Sequence, residues 1–349
     1  MQRTACSETH SKGGSTKNYT RRQFLESTSV LGAASLLGYS RIAAAEPPPE
    51  VKKIRLVKVP AICLAPAYVA EELLRLEGFS EVEYVEMERS ASNEMLIANR
   101  ADISVDSPPS MIPALDAGGK LVALAGVHGG CYELFANARI NAVRDLKGKR
   151  VAVPLIGSLD YYFVASIVAY VGMDPRKDIN WVEAKTFDNT MQYFIDGKVD
   201  AFLAFPPQPQ RLRAKKIGQV IVNTTQDRPW AQYFCCMIAA RPEFVAKNPV
   251  ATKRALRAIL KAADLCAREP ERAARLLVAK GYEPSYDIAL EVLKSLPYDR
   301  WRTYSLEDSM RFFALRLHEV GLIKMTPQKI IAQGTNLRFL NELKKELKA

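Results

Sequence analysis

What narrows the choice of fold is a unit that recurs along this chain: a short apolar run, a turn of small residues, then an amphipathic stretch. It is clearest from Gly148 to Phe163, GKRVAVPLIGSLDYYF. Arg150 to Val153 reads as a buried strand, and Pro154 and Gly157 turn the chain. Ser158 caps a helix that places Leu159, Tyr162 or Phe163, Ile167 and Tyr170 on one stripe. A strand running into a helix leaves backbone N–H groups at the helix start, where an anion or a polar ligand group finds donors.

The same unit appears on both sides. Strands are expected at Ile54–Val59, Val82–Val85, Asp102–Val105 and Leu121–Gly126. Helices fall between them: Ala65 to Leu76, a stretch capped by Ser90, and one begun by the prolines after Ser107. After the central unit come strands at Ile179–Val182, Val199–Ala204 and Gln219–Val222, with helices over Asn189–Ile195 and Pro209–Lys216. Trp230 to Ala240 reads as a long strand that crosses back. Alternation of this kind predicts an α/β fold whose sheets are mostly parallel, covered by helices. Residues from 137 to 230 form a second unit inserted in the first. Beyond Ala240 the pattern is helical, with Ser305 and Asp308 forming a capping box. Lys253, Arg257 and Lys261 make a basic stripe, read as a solvated helix face.

The chain has 349 residues and a formal charge of +11; six Lys/Arg against two Asp/Glu in the first 45 residues supply +4, leaving +7 spread over the rest. No nucleic-acid motif accompanies that charge, so no nucleic-acid partner is expected. The N-terminus carries Arg21-Arg22 before Phe24, a modest apolar run from Val30 to Leu37, and Ala43-Ala44-Ala45. This order predicts a twin-arginine export signal over 1–45, removed after Ala45, and a periplasmic mature chain. Five cysteines would remain there, at 63, 131, 235, 236 and 266. Their odd number and lack of paired CxxC spacing predict small buried hydrophobes rather than a metal site or a disulfide framework. Cys235 and Cys236, adjacent in a strand, are expected on opposite faces.

No catalytic motif emerges, so no catalytic residue, metal ligand or cofactor is assigned. His128, beside Gly129-Gly130, reads first as a structural or solvated histidine and second as a ligand contact. The candidate binding residues lie at strand ends: Ile62, Cys63, Asp106, Ser107, His128, Gly129, Gly130, Cys131, Gly157 and Ser158. Tyr161, Tyr162, Phe205 and Tyr233 would supply apolar faces.

Several ordered segments carry a resemblance: ANRADIS at 98–104, the run from Asp106 to Pro113, LKGKRVAV at 146–153 with Gly157-Ser158, VGMD at 171–174 and GKVDA at 197–201. Over residues 52 to 270 the chain resembles the periplasmic solute-binding proteins of ABC importers, in the nitrate/sulfonate/taurine class that includes thiamine-pyrimidine-precursor binders. The resemblance implies a two-lobed type II periplasmic binding protein fold with additional C-terminal helices. Lobe 1 would comprise 46–136, lobe 2 137–230, and 231–349 would return to lobe 1, its helices packed back on that lobe. It further implies a monomer that binds a small-molecule solute (a carboxylate, a sulfonate or a pyrimidine) and hands it to an inner-membrane ABC permease. The chain departs from the family pattern after the first strand, at Ala70 to Phe79. Two rival readings are a metal-dependent pyrimidine-precursor enzyme of the same fold, which needs a fuller Cys/His cluster than the sequence displays, and a periplasmic ligand sensor.

Overall fold

The computed structural model describes residues 46–59, 61–87 and 92–348. The export signal and the Ser90 cap lie outside these. The chain runs β1 (Lys53–Lys58), α1 (Ala65–Val69), α2 (Glu71–Leu76), β2 (Glu81–Glu86), α3 (Ser92–Ile97), β3 (Ile103–Asp106), α4 (Pro108–Asp116), β4 (Val122–Gly129) and β5 (Glu133–Ala136). There follow β6 (Arg150–Val153), α5 (Leu159–Tyr170), β7 (Asn180–Glu183), α6 (Phe187–Ile195), β8 (Ala201–Ala204), α7 (Gln208–Ala214), β9 (Gln219–Asn223) and β10 (Phe234–Ala240). Helices α8 (Pro242–Lys247), α9 (Pro249–Arg268), α10 (Pro270–Ala279), α11 (Tyr286–Ser295), α12 (Leu306–Glu319), α13 (Pro327–Gly334) and α14 (Arg338–Glu346) complete it. None of these helices is long and apolar enough to cross a membrane.

Two five-stranded sheets share one plan. Their orders are β2-β1-β3-β10-β4 and β7-β6-β8-β5-β9. In each, three neighbouring strands are parallel and the fourth is antiparallel to both its neighbours. That fourth strand is contributed by the segment that has just crossed over. Glu133–Ala136, placed in the first lobe by sequence, therefore belongs to the second sheet, where its buried ELFA run fills the gap between β8 and β9. Likewise β10 returns to fill the first sheet.

The two crossings lie against each other. Thr224 N donates to Tyr132 O at 2.9 Å, and the Thr224 hydroxyl oxygen accepts from the backbone of Cys131 and of Tyr132. Gly130 makes this approach feasible: its φ is +51°, and a Cβ there would lie 2.4 Å from Thr224 O. No side chain fits.

The C-terminal helices touch both sheets' layers rather than the first alone. Phe313 of α12 meets Phe163 of α5 at 5.3 Å between ring centres, and Phe312 meets Trp230 at 5.2 Å. The expected basic face of α9 is an internal ion network. Arg257 forms a bidentate pair with Glu77 (2.8 and 2.5 Å), and Lys253 and Arg257 reach Glu342 and Glu346 on α14. Sequence periodicity had no way to reveal α14 as the partner, because the two are some ninety residues apart.

Candidate functional site

The carboxyl ends of β1, β3, β6 and β8 point at one cavity of about 280 Å³. Cys63, Asp106, Ser107, Gly157, Tyr162 and Phe205 line it as expected, joined by Asn93, Ser110, Tyr132, Leu159, Phe187 and Cys236. A second cavity of about 510 Å³ adjoins it, sharing Val59, Ala61, Phe187 and Phe205 and including Ile62.

The polar edge is built around Asp106, at the end of a wholly buried strand. Its carboxylate accepts from Ser92 Oγ at 2.5 Å, from Ser107 N at 2.7 Å and from Ser110 Oγ. Burial pushes this carboxyl up from its usual range, against those three hydrogen bonds. Because the Ser110 hydroxyl gives its proton to Asp106, it accepts from Asn93 Nδ2 at 3.1 Å, which orients the amide. Asn93 Oδ1 and Ser107 Oγ are then buried without a partner. Two such atoms beside one cavity leave hydrogen-bonding capacity unused at its edge.

The helix start after Ser107 offers no free amide. Pro108 and Pro109 have none, and Ser110 N and Met111 N both donate to Ser107 O. Among the described lining residues there is no lysine or arginine. The adjoining larger cavity, by contrast, includes Lys58 and Arg211. Ser158, too, is occupied: its hydroxyl caps α5 by accepting from Tyr161 N. Tyr161 packs on Trp181, leaving the neighbouring Tyr162 to face the cavity. Tyr233 stacks on Phe312 at 4.2 Å. Gly129 is paired within β4, and Gly130 serves the crossing. These five expected contacts do not line the cavity.

Below Cys63 and Cys236 the structure gathers what the sequence separates. One donor atom from each of Cys63, His128, Cys131 and Cys236 lies within 4.8 Å of every other, all buried. Cys235 joins them, its Sγ 3.2 Å from Cys131 Sγ, 3.5 Å from Cys236 Sγ and 3.5 Å from His128 Nδ1. The expectation that adjacent Cys235 and Cys236 face apart fails for a local reason. Phe234 pairs with Gly129 and Cys236 with His128, so two residues of β10 span one step of β4. This β-bulge cancels the alternation and brings both sulfurs to one side. His128 is not in a loop but in β4, and is fully buried.

The surroundings hold the cluster in place. His128 Nδ1 faces Gly130 O at 3.1 Å, which puts a proton on that nitrogen, while Nε2 is buried with no hydrogen-bond partner. Tyr298 lies edge-on to the imidazole at 5.2 Å and donates its hydroxyl to Cys63 O at 2.9 Å. Burial keeps the Cys131 and Cys235 thiols protonated. Cys236 goes the other way: burial opposes its thiolate, yet hydrogen bonds from Cys131, Cys235 and Cys63 and the His128 charge hold it well below the usual thiol range. Burial likewise opposes a charged His128, and the Cys236 charge outweighs it, raising the ring.

Comparisons with known proteins agree with this architecture. The NMT1/THI5 like family model matches residues 64–273, more than half the chain. The bicarbonate-binding protein CmpA of Synechococcus elongatus is 27% identical over 138 residues, 39% of this chain and 28% of that protein's length. The periplasmic nitrate-binding protein NrtA from Synechocystis PCC 6803 superposes with a TM-score of 0.72 at 15% identity, covering 86% of this chain and 90% of that one. The alkanesulfonate-binding protein SsuA from Xanthomonas axonopodis pv. citri, bound to MOPS, gives 0.66 at 17% identity over 81% and 96%. The paired sheets with crossing fourth strands are thus the periplasmic binding protein fold, extended by C-terminal helices, and the chain belongs to the NMT1/THI5-like family.

Proposed function

We propose that this chain is a periplasmic receptor that captures one small organic solute between its two sheets and delivers it to an ABC permease. Family membership and the shared fold support the reading, as do relatives whose names are those of binding proteins rather than enzymes. The proposed units are the two lobes drawn from the sequence, with β5 moved to the second, hinged at the paired crossings around Gly130 and Thr224. Export of the folded monomer by the twin-arginine route, with cleavage after Ala45, completes the proposal.

The solute we favour is a flat, N–H-bearing heterocycle of the pyrimidine class. The observation that carries this choice is the pair of unpartnered oxygens, Asn93 Oδ1 and Ser107 Oγ, beside the Asp106 carboxyl. Asn93 Oδ1 only accepts and calls for an N–H on the ligand, the Ser107 hydroxyl can meet either a donor or an acceptor, and an anion would meet Asp106 unfavourably. Tyr132, Tyr162, Phe187 and Phe205 provide apolar faces for a ring.

A thermal-shift panel of aminopyrimidines, sulfonates, aliphatic carboxylates and nitrate tests this. At 100 times its dissociation constant a ligand stabilises the fold by about 2.7 kcal/mol. The expected result is a shift from an aminopyrimidine alone, reduced at least tenfold in affinity by Asn93→Leu. A shift from sulfonate or nitrate alone overturns the solute class, and conversion of the bound solute to a product overturns the receptor reading.

A further inference from the structure

We propose that Cys63, His128, Cys131 and Cys236 form a binding site for a thiolate-seeking d¹⁰ metal ion, Zn²⁺ or Cu⁺, set in the floor of the cavity. The donors converge from four separate stretches: the turn after β1, strand β4, the first crossing and the bulge of β10. Three sulfurs and one imidazole suit a borderline or soft ion. A tetrahedral centre with metal–sulfur bonds of about 2.3 Å sets its donors about 3.8 Å apart. The observed ceiling of 4.8 Å is within a small side-chain adjustment of that spacing.

Two bland readings fit less well. Cysteines acting as small hydrophobes do not need a fully buried histidine among them, and His128 Nε2 is buried with no hydrogen-bond partner. A disulfide between Cys131 and Cys235 would use two sulfurs and leave Cys63, Cys236 and His128 unexplained. The supporting shell is that of a ligand set: Nδ1 held by a backbone carbonyl, and the Cys63 backbone held by the Tyr298 hydroxyl. Only Cys63 and Cys236 of the donors also line the cavity, so the ion would close the cavity floor from below. The site stands whichever solute the cavity takes.

The test uses the full processed chain, purified under reducing conditions, stripped of metal and titrated with Co²⁺ as a spectroscopic probe. The expected result is a single equivalent bound, with strong thiolate-to-cobalt charge transfer and the intense visible bands of a tetrahedral centre. Zn²⁺ would displace them, and metal analysis of untreated protein would distinguish zinc from copper as the native ion. Cys63→Ser combined with Cys236→Ser should abolish the charge-transfer band. Cys266→Ser, a buried thiol outside the cluster, should leave it unchanged. Circular dichroism shows whether each variant is folded. If the double variant loses its fold, His128→Ala takes its place and should shift the charge-transfer and visible bands. Absence of cobalt absorption in the reduced native-sequence protein, or its survival without Cys63 and Cys236, overturns the proposal.

Discussion

Single residues here often do a different job from the one their type advertises. Asp160 sits in the first turn of α5, 2% exposed, with Oδ2 unpartnered, and burial pushes its carboxyl up to about 7. The folded chain therefore holds this proton over a range in which the unfolded chain, titrating near 4, has released it. Stability from this group is complete below pH 4 and is lost as pH rises toward 7, by roughly 1.4 kcal/mol per unit. Asp160→Asn should flatten that slope and raise the urea midpoint at pH 7. Urea titrations at intervals from pH 4 to 8 check it; an unchanged slope sinks the assignment. Among the candidate ligands, the strand-end residues Asp106 and Ser107 were legible because their position follows from the α/β alternation. Asn93 was not, since its role depends on which rotamer faces the cavity.

At the level of elements, the alternation of strands and helices revealed most of the α/β elements, and the Ser158 and Ser305 caps were legible. It missed what non-local pairing decides. The antiparallel fourth strand of each sheet and the bulge at Cys235 arise from register between strands far apart in sequence, which no local period encodes. The helix pair α9 and α14 is another such case. Both side chains of the Arg257–Glu77 bridge are nearly buried, and Arg257 also reaches Glu346. Arg257→Ala leaves Glu77 the longer pair with Lys261 at 3.6 Å and should cost about 2 kcal/mol, read as a lower urea midpoint. Arg272→Ala, which removes an exposed pair with Glu269, should cost well under 1 kcal/mol.

On the scale of the whole molecule, two ion pairs join the second sheet's α7 to the C-terminal region: Arg211 to Glu283 at 3.3 Å and Arg213 to Glu291 at 3.2 Å. Glu133 holds Arg213 bidentately from β5, so the arginine is pre-aimed. Opening of the proposed receptor would break both links, the first of which lies at the second cavity. Each arginine is 43% exposed at its side chain; Glu283 is buried but also accepts from Ser285 N, so the Arg211 pair is worth about 1 kcal/mol and the exposed Arg213–Glu291 pair less. Arg211→Ala should weaken apparent solute affinity by roughly fivefold, mostly through faster release. Raised salt should narrow the gap between the two proteins, which stopped-flow measurements at two ionic strengths would register.

The Cys131 sulfur lies one residue from Gly130, in the very segment about which the two halves would turn. Displacement in a rotation grows with distance from its axis. The sulfur cluster therefore has a short lever arm. A probe at the cluster would register a solute by touch and stay silent to closure; a dye at Thr186 would do the reverse. One molecule thus carries two separable signals, arrival and enclosure, and their order in time would tell whether the solute selects a closed form or pulls it shut.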